Sequence, residues 1–338
     1  MDDRYSRQQL FAPIGKAGQS LIRSKHVLIT GTGALGSAAA EMLARAGVGK
    51  LTLIDRDYVE WSNLQRQQLY EEKDAEEKMP KALAAKKRLS LINSDVEVTA
   101  IVADAGPENL EPLLHDIDLI IDAADNFDIR FILNDLAHKY SIPWIYGSCV
   151  GSYGVTCNIL PGKTPCLNCL LDRIPVSAAT CDTAGIISPA VQMTAAYQIG
   201  EALKILAEDS EHIRETFISF DLWNNQHFSF KFDKVKKDNC PTCGTHPVFP
   251  HLQYEYQTKS EVLCGRDTVQ IRPPKGIARD FDQLEQRLLV HGPIVRNPFL
   301  LSCTLPNHRL VIFQDGRVFV HGTSDIQTAK KLYYQFLG

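Results

Sequence analysis

Two patterns in the sequence carry chemistry by residue type and spacing. The first is Gly31, Gly33 and Gly36, spaced G-x-G-x-x-G, with Asp55 beyond them. Glycines at this spacing let backbone N–H groups approach a phosphate, and an acidic residue about 20 positions on can hold ribose hydroxyls. That chemistry is adenine-nucleotide binding, with NAD(P) and ATP both open at this point. The second is a pair of C-x-x-C motifs, Cys166 with Cys169 and Cys240 with Cys243. Four thiolates so spaced suit a closed, tetrahedral Zn²⁺ site, which is structural and keeps no open position for catalysis. The wide gap between the pairs means that the metal would tie distant segments together.

The glycines can bind phosphate only if they turn the chain from a strand into a helix. Val27-Leu28-Ile29 is too short an apolar run for a free-standing helix and suits a buried parallel strand. Ala38–Ala46 is rich in Ala and Leu, a helical composition, and Lys50–Ile54 is a second strand ending at Asp55. This order brings the positive N-terminus of the helix to the phosphates. Asn63 and Arg66 fall just past the second strand, where loops at the carboxyl ends of parallel strands line the crevice. Downstream, a helix opens at Pro80. Val96–Ala103, Asp118–Asp122 and Ile142–Cys149 read as strands, and Asn109–His115 and Phe127–Lys139 as helices. Asp125 ends the second of these strand regions, where a carboxylate is as readily a cap for the next helix as a ligand. Gly151–Gly154 is a turn, and Ile186–Leu206 a long amphipathic helix with Pro189 in its first turn. Phe217–Phe232 alternates as a strand does, with Phe228, Phe230 and Phe232 as an apolar face; it can line a binding channel or form an edge of the core sheet.

Alternating strands and helices predict an α/β fold, a Rossmann-like doubly wound sheet carrying the zinc site, over residues 1–250. Pro247, Pro250 and the polar stretch to Ser260 read as a linker. Residues 251–338 then form a small C-terminal α+β domain of unknown role. Its expected elements are a strand near Val262–Ile271, a helix Phe281–Leu289, a hairpin and a last helix capped by Ser324. The hairpin joins Leu310–Phe313 to Arg317–His321 through Asp315-Gly316. Cys264 and Cys303 belong to no C-x-x-C pair and default to core.

A dehydrogenase rarely follows its ribose carboxylate with Asp57 and then Ser62-Asn63-Leu64-Gln65-Arg66-Gln67. With Tyr5-Ser6-Arg7-Gln8 and the two cysteine pairs, this run resembles the ubiquitin-activating-like adenylyltransferases that charge small sulfur-carrier proteins in molybdopterin and thiamine synthesis. The resemblance extends from Tyr5 to about Gly244. It implies ATP-dependent adenylation of the C-terminal glycine of a ubiquitin-like carrier ending in Gly-Gly. It also implies a homodimer and a sulfur donor of the cysteine desulfurase or rhodanese type. In such enzymes Arg7 reaches across the dimer to the partner's ATP phosphates; by residue type alone Arg7 is a solvated side chain on an N-terminal helix. Arg66 and Lys81 bind phosphates, Lys81 being preferred to Lys78, although a lysine in a first helical turn is also an ordinary solvated residue. Asp125, with Asn126 beside it, stands next to Mg²⁺ and the triphosphate, a hard oxygen ligand for a hard cation. Cys181, near the start of the long helix, is either a thiol for sulfur transfer or an inert cysteine.

Composition agrees with such an enzyme. The 338 residues suffice for a large domain and a small one, and 44% hydrophobic content supports a substantial core. A net charge of −4 leaves no nucleic-acid footprint. The polar N-terminus MDDRYSRQQ has no signal-peptide character, and no apolar run reaches the roughly 18 residues of a membrane helix, so the expected location is the cytoplasm. Two rival readings remain: an NAD-dependent oxidoreductase, and an inactive scaffold of the same fold. The first lacks a placed proton-transfer group, and the second would not keep the phosphate-binding set.

Overall fold

A computed structural model describes residues 3–170, 185–253, 260–263, 267–272 and 279–337. They fold as two units, one up to residue 253 and one from residue 260 onward. The first is built on eight strands: β1 (His26–Thr30), β2 (Lys50–Asp55), β3 (Glu97–Val102), β4 (Leu119–Asp122), β5 (Trp144–Val150), β6 (Tyr153–Ile159), β7 (Thr216–Asp221) and β8 (Gln226–Lys231). Their order is β3-β2-β1-β4-β5-β6-β7-β8. β3 through β5 run parallel, and β6, β7 and β8 add antiparallel hairpins.

The apolar strands are buried on both faces, as parallel sheets require. On β1, Val27 and Ile29 join the core under helices Ala34–Ala46, Lys81–Ile92 and Ser188–Leu206. Leu28 faces the opposite layer, with helix Phe127–Tyr140 and residues 107–116. The sheet is therefore doubly wound, as the sequence predicts. Several boundaries differ from expectation. Helix Lys81–Ile92 begins after Pro80, which instead bridges to Tyr58. The expected helix Asn109–His115 is a turn of α-helix, Pro107–Leu110, followed by a 3₁₀ segment Glu111–Asp116. Residues 217–232 are two strands folded back at Asn225, whose φ is +53°: Phe228 and Phe230 are exposed on β8, while Phe232 lies beyond the strand and is buried. Among the described residues, no helix is long and apolar enough to cross a membrane.

The second unit is a six-stranded antiparallel sheet: β9 (Ser260–Leu263), β10 (Thr268–Ile271), β11 (Ile294–Arg296), β12 (Leu300–Thr304), β13 (Arg309–Phe313) and β14 (Val318–His321), in the order β11-β12-β13-β14-β10-β9. Helices Phe281–Leu288 and Ile326–Leu337 bury Phe281, Leu284, Leu288, Ala329, Tyr333 and Leu337 against one of its faces. The single strand expected near 262–271 is the hairpin β9–β10, and β11 and β12 were not anticipated. Asp325, not Ser324, caps the last helix by accepting the Thr328 N–H at 2.8 Å. Cys303 is buried as expected; Cys264 lies outside the described residues.

The order β3-β2-β1-β4-β5 reverses direction between β1 and β4. There the chain leaves neighbouring strands toward opposite sides, opening a crevice at their carboxyl ends. Backbone makes the closest contact across it. A Cβ on Gly31, at φ +90°, would lie 2.6 Å from the Ala123 carbonyl oxygen, and one on Gly36 would lie 1.9 Å from the Gly31 carbonyl oxygen. Gly36→Ala must therefore push the helix off the turn, and chemical denaturation should show a loss of about 3 kcal/mol, the upper end for overpacked sites. Gly200→Ala, in a helix with open space around it, should instead gain about 0.5–1 kcal/mol. Equal effects at the two positions would contradict this packing.

Candidate active site

The glycine turn is clasped by polar groups from the strand ends beside it. Asp55, at the end of β2, accepts the Thr32 N–H at 2.6 Å and the Thr32 hydroxyl at 2.9 Å through Oδ2, and the Asp57 N–H at 2.7 Å through Oδ1. The Tyr70 hydroxyl donates to the Thr32 carbonyl at 2.6 Å. Lys81, with its side chain buried, places Nζ 3.1 Å from Asp57 Oδ2, and its N–H donates to the Asp57 carbonyl at 2.9 Å. Burial pushes the Asp55 carboxyl up from its usual range, against the pull of Lys81. Burial likewise raises the Tyr70 hydroxyl. Lys81 thus sits between two carboxylates, ion-paired to Asp57 and lowering Asp55 through its charge.

Gly33 is the exception among the three glycines. A Cβ there would come no nearer than 3.9 Å to any neighbouring side chain, that of Gln67. Protein packing demands Gly31 and Gly36, whereas the room at Gly33 is what close approach of a phosphate to backbone requires. It is also the residue from which helix Ala34–Ala46 departs, where backbone N–H groups are unsatisfied within the helix.

The other expected residues take varied places. Asn63 is buried and accepts the Glu60 N–H at 3.0 Å, holding its own turn. Arg66, half-buried, donates to the Ser62 carbonyl at 2.7 Å. Asn126 caps helix Phe127–Tyr140, accepting the Ile129 N–H at 3.0 Å, so the capping alternative for Asp125 is excluded. Asp125 is exposed at the end of β4, with Oδ1 accepting from the Asn126 amide at 3.0 Å. Arg7 is exposed on the short helix Ser6–Gln9, beside a buried Tyr5 whose hydroxyl accepts from Asn93 at 2.7 Å. Cys181 lies outside the described residues.

Sequence reasoning missed the node beneath Asp125. The β4–β5 ladder ends after Ile121↔Ile145, and side chains span the widening gap. Buried Arg130 donates to Asp122 Oδ2 at 3.1 Å, to the Ala124 carbonyl at 2.8 Å and to the Gly147 carbonyl at 3.1 Å. Gln198 donates to the Asp122 carbonyl at 2.9 Å and the Ile145 carbonyl at 3.2 Å. Burial raises the Asp122 carboxyl while Arg130 pulls it back. A glutamine on the apolar face of a long helix was the available signal, since buried polar groups normally have a bonding task.

The four paired cysteines converge. Their sulfurs lie within 4.8 Å of one another, with Cys166–Cys240 and Cys169–Cys243 both at 3.5 Å and Cys166–Cys169 at 3.9 Å. A tetrahedral site with Zn–S bonds of about 2.3 Å has S–S edges of about 3.8 Å, so the donor set fits that ion. Hydrogen bonds from Cys166 and its neighbours pull Cys243 down to about 5, while burial pushes Cys169 up to about 11. A bound Zn²⁺ would hold all four as thiolates, their protons released on binding.

A glycine turn at a switch point, with the Lys81–Asp57 pair on the loop after β2 and a cysteine cluster beyond, defines a nucleotide-binding α/β protein with a metal-type clamp. This chain belongs to the ThiF family, whose pattern matches residues 5–242. It is 52% identical to the sulfur carrier protein ThiS adenylyltransferase of Bacillus subtilis over 100% of both chains. It is 33% identical to the molybdopterin-synthase adenylyltransferase of Escherichia coli, over 71% of this chain and 96% of that one. Among solved structures, E. coli MccB with MccA-N7isoASN aligns at a TM-score of 0.63 and 23% identity, over 72% of this chain and 76% of that one, a likeness of fold. The family sets aside the oxidoreductase reading.

The cluster geometry leads to a direct measurement. Elemental analysis of freshly purified, reduced protein should find one zinc per chain, and Cys240→Ser should lower the melting temperature while leaving nucleotide affinity within about threefold of wild type, since a closed site is structural. Protein that is zinc-free and equally stable would refute this.

Proposed function

We propose that the protein uses ATP to adenylate the C-terminal glycine carboxylate of a small ubiquitin-like sulfur carrier, for sulfur transfer in thiamine or molybdopterin synthesis. The supporting observation is the open Gly33 position with buried Lys81 held behind the turn by Asp57. This is an anion seat, and the full-length likeness to a ThiS adenylyltransferase favours a thiamine-type carrier.

A carboxylate is a poor acyl donor because its leaving group would be oxide. Its attack on the α-phosphate of ATP releases pyrophosphate and leaves a mixed anhydride with AMP, from which sulfur can displace AMP. The carboxylate is already ionised near neutral pH, so no general base is required. The protein's task is positioning and charge neutralisation. In this reading Gly31, Gly33 and Gly36 shape the phosphate seat, Asp55 meets the ribose, and Asn63, Arg66 and Lys81 hold the phosphate side. Asp125 and Asn126 stand where a Mg²⁺–nucleotide would be met, and exposed Asp125 has the hard oxygen that ion prefers. Mg²⁺ supplies charge neutralisation on the phosphates when bound. Arg7, exposed on its short helix, is free to serve a second subunit in a homodimer, where its guanidinium suits phosphate. The carrier ends in Gly-Gly, the sulfur comes from a cysteine desulfurase or rhodanese-type donor, and Cys181 is the thiol proposed for transfer. A reduced zinc cluster fits a cytoplasmic setting.

The deciding experiment is pyrophosphate exchange. Labelled pyrophosphate should enter ATP only when a Gly-Gly carrier is present, and a carrier lacking its last glycine should give none. No exchange with either carrier would favour the scaffold reading. The dimer is tested separately. Arg7→Ala and Arg66→Ala homodimers should each be inactive, and mixing them should restore part of the activity, because one hybrid site has both an intact pocket and an intact arginine. Failure to recover, with subunit exchange verified, would place Arg7 outside the partner's site.

A further inference from the structure

The middle of the glycine turn is a single peptide, Thr32–Gly33, anchored on both sides. Before it, Asp55 holds the Thr32 N–H and hydroxyl; after it, the Gly33 carbonyl accepts the Ser37 N–H at 2.9 Å. Neither anchor decides which way the peptide between them faces. A peptide that leads into glycine can turn over between fixed neighbours at little steric cost. The bond that orients this one comes from farther along the chain, where the Tyr70 hydroxyl donates to the Thr32 carbonyl at 2.6 Å.

In a trans peptide the carbonyl and the following N–H point in opposite directions. The Thr32 carbonyl points inward, to a tyrosine that is itself buried, so the Gly33 N–H lies on the outward edge. Thr32 is wholly buried and Gly33 only half-buried, in keeping with that direction. Among the described residues nothing accepts the Gly33 N–H. The space beside it is open, the nearest atom to a Cβ there being 3.9 Å away. We infer that Tyr70 is a positioning residue for phosphate binding: by holding the Thr32 carbonyl it aims the Gly33 N–H at a non-bridging oxygen of a nucleotide phosphate. Polarity matches, an N–H donor meeting an anionic oxygen, and Tyr70 itself touches no substrate. Burial raises the Tyr70 hydroxyl well above its ordinary value, so it remains a proton donor at neutral pH. The inference rests on the nucleotide reading above and adds the residue that sets the direction of the backbone donor.

Tyr70→Phe tests this, because it keeps the ring and removes only the hydroxyl. Calorimetry well below the melting temperature should show ATP–Mg²⁺ binding weakened about tenfold, the lower end for a hydrogen bond to a charged group. Adenosine binding should be unchanged. In protein labelled at its glycine nitrogens, NMR should show the Gly33 amide proton moving downfield when ATP–Mg²⁺ binds, with Gly33→Ala identifying the resonance. That displacement should shrink in Tyr70→Phe at saturating nucleotide. A hydroxyl with only a structural role would lower the melting temperature yet leave the ratio of ATP to adenosine affinity and the Gly33 displacement as in wild type, which would overturn the inference. So would an equal loss with adenosine. A Gly33 amide that does not move when wild-type protein binds ATP would overturn it without any variant. Wild-type protein that binds no ATP would sink both readings. ATP binding without carrier-dependent exchange would sink only the adenylation reading, and Tyr70→Phe would still decide what orients the donor.

Discussion

The first unit depends on one backbone contact across the switch point. β1 and β4 are neighbours in the sheet, and where the chain leaves them the Gly31 Cα faces the Ala123 carbonyl at a distance that leaves no space for a side chain. Helix Ala34–Ala46 then starts so close to the turn that Gly36 packs against the Gly31 carbonyl. With those atoms in contact, the helix N-terminus has a fixed direction and height above the sheet. Asp55 sets the remaining freedom by holding Thr32 through both its N–H and its hydroxyl. A phosphate seat whose donors are backbone groups can be no more rigid than the backbone, which is why these contacts come before any charged side chain in the logic of the site.

Rigidity at the other wall of the crevice comes from helix Phe127–Tyr140. Its first turn is capped by Asn126 next to Asp125, and Arg130 binds carbonyls on both β4 and β5. Further along, Asn134 accepts the Leu167 N–H at 2.8 Å, and Asp135 accepts the Thr242 hydroxyl and, at 2.8 Å, the His251 N–H. Asn168 also donates to Thr242 at 2.7 Å. Both loops that carry the cysteine pairs are therefore bolted to the helix that supports Asp125. A metal holding those loops acts on the crevice through this element without touching a substrate, the kind of support a site needs from residues outside it.

The sequence disclosed what contiguous residues encode and concealed what distant residues share. The glycine spacing, the apolar strand runs and the C-x-x-C pairs each signal within a few positions, so the turn, the parallel core and the sulfur cluster could be anticipated. Caps were less certain, because Asp125 and Asn126, or Ser324 and Asp325, have similar capping propensity and only backbone geometry chooses between them. The hairpin within residues 217–232 was hidden because alternation persists on both sides of it. Its signal was Asn224-Asn225, since asparagine tolerates the left-handed conformation that Asn225 adopts. The Asp122–Arg130–Gln198 node joins three elements that are remote in the chain, and no local pattern announces such a meeting.

Two buried ion pairs flank the crevice, Lys81–Asp57 and Arg130–Asp122. Buried pairs are poor sources of stability, because desolvating both charges offsets most of their attraction, and well-packed apolar residues often do as well. Their value here is geometric. Arg130 saturates carbonyls that the diverging strands leave unpaired, so that β4 and β5 can part without exposing backbone to an apolar interior. Lys81 ties the start of its helix to the loop after β2 by a backbone bond and a side-chain bond at once. Each pair thereby turns an opening in the sheet into a fixed gap. Without that fixation the parting of β1 and β4 would be a flexible cleft.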